Sequence, residues 1–126
     1  MQQRQQTALA GEYDAASIAR DLVDVAADKK ASDVTLIDIR QVTTLADYFV
    51  LATGTSERQL KAISSAIQDR MDELHVELFR VEGVPSDGWI LLDYGQIIVH
   101  IFAPEQRAYY DLERRWQDAP TVVRIQ

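Results

Sequence analysis

A chain of 126 residues that is 47% hydrophobic and 26% charged, with five glycines, three prolines and no cysteine, has the makeup of one folded domain able to bury roughly two thirds of its unfolded surface. That composition excludes disordered and fibrous classes, and the lack of thiols excludes disulfides and thiolate metal sites while suiting a reducing compartment. A net charge of −7 disfavours sequence-independent binding to a phosphate backbone and makes a basic protein surface the better complement, so even an RNA-rich assembly would be approached through its proteins.

Met1 to Gly11 is glutamine-rich with Arg4 as its one charge, and lacks the basic start and long apolar middle of a secretory signal. It reads as a frayed, flexible tail over residues 1–13. No apolar run approaches the ~20 residues needed to span a bilayer, so no membrane association is expected and the cytoplasm is the default location. From Asp14 to Lys30 the residues Ile18, Leu22, Val25 and Ala26 recur at helical spacing, with Asp14 or Ser17 able to cap the start and Lys29 and Lys30 suited to the far end of the dipole. Asp33 to Ile39 alternates and is β-branched, which predicts a strand. After a short loop, Tyr48-Phe49-Val50-Leu51-Ala52 is a continuous apolar run, suited to a strand buried on both faces.

Gly54-Thr55-Ser56 ends that strand, and Ser56 followed by Gln59 is a capping-box signature. Leu60, Ile63, Ile67, Met71 and Leu74 then form the apolar stripe of a long helix ending near His75. Leu78 to Val81 predicts a short strand, Glu82 to Asp87 a loop, and Trp89–Asp93 with Ile97–Ala103 a hairpin. Glu105 to Trp116 has helical character with Tyr109, Leu112 and Trp116 on one side, and Pro120 stops it. The expected fold is therefore α/β, order α-β-β-α-β-β-β-α: a mixed five-stranded sheet with helices mainly on one face, built from residues 14–117 and followed by a tail over 118–126.

The hairpin carries the functional signal. Between Arg80 and Arg107 there is no lysine or arginine, while Glu82, Asp87, Asp93 and Glu105 are present. Alternation places Ile90, Leu92, Ile97, Val99 and Ile101 on one purely aliphatic face, assigned to the helix-covered core. The other face holds Trp89, Leu91, Asp93, Ile98, His100 and Phe102. A core does not favour an unpaired aspartate, and a solvated surface gains nothing from Trp, Leu, Ile and Phe together. Two readings stand: a protein interface anchored by Trp89, or coverage by the third helix through Tyr109, Tyr110 or Trp116. On the interface reading, Trp89, Leu91, His100 and Phe102 meet the partner, and Asp93 and Glu82 meet its lysines or arginines. Tyr94 would extend the patch, although Asp93-Tyr94-Gly95-Gln96 also has turn chemistry. His100 has only His75 as a possible co-ligand, so no metal and no cofactor is expected; a hydrogen-bonded structural histidine is its other reading. Asp47 and Arg58 are placed to pair across the Gly54 turn. An exposed sheet face or edge could also pair with a second copy as a homodimer.

These residues resemble the Iojap family, the bacterial ribosomal silencing factors (RsfS), over roughly Ser17 to Trp116. The likeness rests on Asp47-Tyr48-Phe49-Val50 with Gly54-Thr55-Ser56-Glu57-Arg58-Gln59, then Glu82-Gly83, then Gly88-Trp89-Ile90-Leu91-Leu92-Asp93-Tyr94-Gly95 with Val99-His100-Ile101-Phe102, and Arg107-Ala108-Tyr109-Tyr110-Asp111-Leu112-Glu113 with Trp116. The resemblance implies a nucleotidyltransferase-like fold and a non-enzymatic role. It implies binding of the large ribosomal subunit through ribosomal protein uL14 (large-subunit protein fourteen), obstruction of small-subunit joining, and repression of translation when nutrients are short. A large-subunit assembly factor using the same surface is the alternative. An enzyme is the rival class: Gly54-Thr55-Ser56 at a helix start offers N–H groups to a phosphate. Nucleotidyl transfer also needs two carboxylates one residue apart on the next strand, and Leu78-Phe79-Arg80-Val81 has none.

Overall fold

Helix α1 (Ala15–Asp28) is the first element of the computed structural model, which describes residues 15–126. The expected tail over 1–13 and the Asp14 cap lie outside the described residues. Helix α1 buries Ala15, Ala19, Leu22, Val23 and Ala26, a stripe rotated slightly from the expected one, with Ile18 and Val25 at its flanks. It ends in a Schellman motif: Lys30 takes a φ of 66°, and the Ala31 and Lys30 N–H groups return to Ala26 and Ala27 carbonyls. Strand β1 (Ser32–Asp38) and β2 (Tyr48–Thr53) follow and pair antiparallel. Every residue of β2 is buried, as its uninterrupted apolar run requires of a strand covered on both faces.

Helix α2 (Glu57–Glu73) starts where Ser56 accepts the Gln59 N–H at 3.0 Å. The Gln59 carboxamide does not return to the Ser56 N–H, as a capping box would have it. Its oxygen accepts from the Thr55 N–H (2.7 Å), and its nitrogen donates to the Lys29 and Lys30 carbonyls, tying the start of α2 to the end of α1. At the other end His75 holds the left-handed position of a second Schellman motif, with Val76 N–H on Met71 O and His75 N–H on Asp72 O. Strand β3 (Arg80–Glu82), a one-turn helix (Pro85–Asp87), β4 (Trp89–Asp93) and β5 (Ile97–Phe102) come next. Strand β5 runs parallel to β2, with α2 and β3–β4 forming the crossover between them.

The sheet has six strands, ordered β3-β4-β5-β2-β1-β6, where the sequence led to an expectation of five. The sixth, β6 (Thr121–Ile125), lies in the stretch read as a tail and pairs antiparallel with β1. The last helix already ends at Arg115, before Pro120 is reached, and the Pro120 carbonyl instead accepts the Asp38 N–H and leads into the new strand. The expected single third helix is also divided. Asp111, at φ 48°, separates α3 (Pro104–Tyr110) from α4 (Leu112–Arg115). Aspartate is among the few non-glycine residues that tolerate this conformation.

Both faces of the sheet are apolar. Helices α1 and α2 cover the one carrying Ile90, Leu92, Ile97, Val99 and Ile101, as the alternation predicts. The opposite face clusters Ile37, Ile39, Phe49, Leu51, Leu91, Ile98 and Phe102, with Trp89, Leu112 and Trp116 packed against them. The α3–α4 segment is fastened by Arg107, only 9% exposed. Its guanidinium donates to Asp33 O (2.6 Å), Thr53 Oγ1 (2.8 Å) and Thr35 Oγ1 (3.1 Å), and grips both oxygens of Glu113 (3.1 and 3.0 Å). Arg107→Met removes five hydrogen bonds and the close partner of Glu113, so it is expected to cost about 3 kcal/mol, or a melting temperature lower by roughly 10 °C. Differential scanning calorimetry checks this; a near-native transition would mean the network contributes little.

Candidate functional site

The hairpin register sets the site. Trp89 opposes Phe102, Leu91 opposes His100 and Asp93 opposes Ile98, so all six project from the face away from α1 and α2. Asp93 Oδ1 accepts the Gly95 N–H (2.8 Å), and Gly95 at φ 86° makes the tight reversal. Before β4, Gly83 (φ 82°) passes so close to the Trp89 carbonyl that a side chain there would collide with it. A groove of about 510 Å³ opens on this face.

Its back wall is aromatic. The planes of Trp89, His100 and Phe102 are parallel within 5°, with centroids 5.7–6.1 Å apart. The Trp89 indole N–H donates to His100 Nδ1 at 3.3 Å. An indole nitrogen can only donate, so Nδ1 is the unprotonated nitrogen and the imidazole proton sits on Nε2. Burial pushes the His100 pKa down to about 4, leaving the ring neutral at neutral pH. Phe49 meets His100 edge-on (5.2 Å) and Trp116 likewise (5.3 Å), and Tyr110 leans on Trp89 at 4.9 Å. Self-coverage of this face is thus realised only in part. Tyr110, Leu112 and Trp116 cover some of it, while the groove stays open with Leu45 (60% exposed) and Phe79 (63%) on its rim. Tyr109 turns outward instead and is 82% exposed.

Of the expected partner-facing residues, Trp89, Leu91, Asp93 and His100 line the groove. Trp89 and Asp93 are half-buried at its edge, Leu91 and His100 buried in its floor. Phe102 is 1% exposed beneath Trp89 and Tyr110, so it supports the wall rather than presenting a surface. Tyr94 does not extend the patch. It belongs to the helix-covered core on the opposite face, where burial raises its pKa to about 12 and its hydroxyl has no hydrogen-bond partner among the described residues. Glu82 lies outside the groove lining, and neither it nor Asp93 is bare: Arg80 sits between them, 3.1 Å from Glu82 and 3.7 Å from Asp93. Asp47 and Arg58 form no ion pair among the described residues. The sequence reading missed Leu45, which it left in a loop, and Phe79, which it placed in a short strand; both are bulky apolar side chains that the structure leaves exposed. It also missed Arg115 as a groove residue.

The Gly54 turn is a poor phosphate cradle. Its Gly54, Thr55 and Gln59 N–H groups are already taken by Phe102 O, Gln59 Oε1 and Ser56 Oγ. Among the described residues no three His, Asp or Glu side chains converge to hold a metal ion.

Comparison with known proteins places these features in a family. A family model described as "Ribosomal silencing factor during starvation" matches residues 12–126. The Bacillus subtilis protein called ribosomal silencing factor RsfS is 39% identical over 93 residues, spanning 74% of this chain and 79% of its own. A mouse protein named for mitochondrial assembly of the ribosomal large subunit is 31% identical over 98 residues, spanning 75% of this chain and 43% of its own. A crystal structure of a Chromobacterium violaceum protein aligns with a TM-score of 0.76 at 34% identity, covering 80% of this chain and 84% of that one.

The buried neutral histidine makes stability pH-dependent. Its folded pKa of about 4 lies below the ordinary 6.5, so the unfolded chain takes up the proton first as the pH falls. The contribution is complete above about pH 6.5 and is lost as the pH drops through about 4, by at most about 3 kcal/mol. Urea denaturation from pH 7 to 4 should show this loss in the native chain and not in His100→Phe. Parallel curves for the two proteins would contradict it.

Proposed function

The chain belongs to the RsfS family of ribosomal silencing factors, regulators rather than enzymes, and we propose that it binds the large ribosomal subunit through protein uL14, occupies the surface the small subunit needs, and so represses translation under nutrient limitation. The observation that carries this reading is the groove itself: an apolar, tryptophan-walled surface that stays open after the chain's own last helices have packed. Aromatic anchors in partly enclosed pockets dominate the energetics of protein interfaces, and an exposed apolar patch rimmed by charge is where such a partner docks.

Electrostatics point the same way. An overall charge of −7 steers the protein toward basic surfaces and away from bare RNA, so a ribosomal protein suits it better than direct nucleic-acid recognition. A partner's lysine or arginine reaches Asp93 or Glu82 by exchanging with Arg80. The exchange is cheap, because exposed ion pairs of this kind contribute about 1 kcal/mol or less. Among the described residues no helix is long and apolar enough to cross a membrane.

A second reading, a role in assembling the large subunit, draws on the mouse relative's name and would use the same groove. Accumulation of immature large subunits in cells lacking the protein favours it over silencing. A homodimer through this face would compete with the ribosomal partner.

Trp89 cannot be removed without disturbing its own packing on His100, Phe102 and Tyr110, so the rim gives the cleaner test. Leu45→Glu combined with Phe79→Ser changes two exposed side chains and should alter stability by about 0.5 kcal/mol or less. The double variant should lose at least tenfold in co-sedimentation with free large subunits, and Trp89→Ala should lose roughly 2 kcal/mol of binding. Co-sedimentation of the native chain with small subunits instead would overturn the proposal.

A further inference from the structure

We propose that His100 is a positioning residue for docking: its Nδ1 lone pair holds the Trp89 indole in the one orientation that presents it as the groove wall. This rests on the reading of the groove as the docking surface. Trp89 is half-buried, and parallel packing against Phe102 and His100 does not by itself choose between the two flips of an indole, because an aromatic torsion of this type is broad and roughly two-fold. The hydrogen bond does choose. Between the two near-parallel rings the indole N–H is aimed at His100 Nδ1, with the two nitrogens 3.3 Å apart.

His100 is itself held. It is 6% exposed, sits mid-strand in β5, and is braced by the edge-on Phe49 ring at 5.2 Å. A buried acceptor on a central strand can therefore dictate the position of a partly exposed donor on its neighbour, and not the reverse. An anchor already locked in its bound rotamer loses less freedom when a partner arrives, an advantage of about three- to tenfold in affinity. The histidine thus serves docking through the tryptophan, from beneath it.

The experiment uses the full chain labelled with ¹⁵N, with Trp116→Phe to assign the Trp89 indole resonance. In the free protein the indole N–H should show a coupling across the hydrogen bond to His100 Nδ1 and slowed exchange with solvent. His100→Phe keeps an aromatic ring and removes the acceptor; it should speed indole exchange tenfold or more and weaken large-subunit binding about three- to tenfold. His100→Leu serves in its place should the larger ring prevent folding. His100→Asn puts an acceptor oxygen where Nδ1 stood and should restore both protection and binding. A purely structural histidine would not be rescued this way, because asparagine leaves a larger void than either apolar variant.

An indole that exchanges freely in the native chain overturns the proposal. So does an acceptorless variant that frees the indole yet binds as tightly as the native chain while the Leu45→Glu, Phe79→Ser rim variant binds poorly; that pattern sinks the positioning role alone. A rim variant that binds normally removes the docking reading and this role with it, and the coupling in the free chain then shows whether the hydrogen bond itself exists.

Discussion

The buried guanidinium of Arg107 decides what the second face of this sheet looks like. Arginine offers five donors in a fixed fork, and here they reach a carbonyl near the start of β1, a hydroxyl on each of β1 and β2, and the carboxylate of Glu113. Burial of that charge is tolerated because each direction of the fork finds an acceptor. The Glu113 contact also forces the chain to reverse at Asp111, whose left-handed backbone ends α3 after seven residues. That reversal brings Tyr110 onto Trp89 and Trp116 onto Phe49, and then delivers residues 121–125 to the free edge of β1. One ion pair thus fixes the last helices, the wall of the groove and the sixth strand together.

The site depends on a division of labour between the two strands of the hairpin. Strand β5 is buried along its whole length and contributes fixed groups, while β4 is half-buried at both ends and contributes the groups that reach the surface. The same register that opposes Leu91 to His100 and Trp89 to Phe102 puts the donor on the outer strand and the acceptor on the inner one. One glycine after β3 and one after β4 allow this placement. Gly83 lets the chain pass the Trp89 carbonyl, and Gly95 turns tightly enough for the ring of Phe79 to lie against it. Phe79 remains largely exposed there and becomes part of the rim.

Much of this was legible from residue order. The β2 run, the α2 stripe and the alternation of the hairpin each carry a local period strong enough to survive folding, and all were placed within a few residues. Strand β6 was not legible: five residues behind a proline look like a terminus, and their pairing is specified by the edge of β1 about ninety residues earlier. Nor was the break at Asp111, since aspartate tolerates the left-handed region without requiring it, and the Arg107–Glu113 clasp that accompanies the break is not visible in residue order. Tyr94 misled for a related reason. In a turn, alternation stops, and the side chain followed the backbone reversal into the opposite core.

Whether the second face could have been closed by the chain itself is a question of size. Six strands spaced about 4.8 Å apart span about 24 Å from first to last, a width that α1 and α2 together can cover on their side. On the other side α3 has seven residues and α4 four, lengths of about 10 and 6 Å. Placed where Arg107 holds them, these two short helices shield part of the β4–β5–β2 surface and stop short of Leu45 and Phe79. Lengthening them past Asp111 would seal the groove and add buried apolar area, so the isolated domain would gain stability from it. A chain that instead breaks its last helix with a left-handed aspartate gives up that gain, and what it keeps is an open aromatic wall beside a loosely paired cluster of charges.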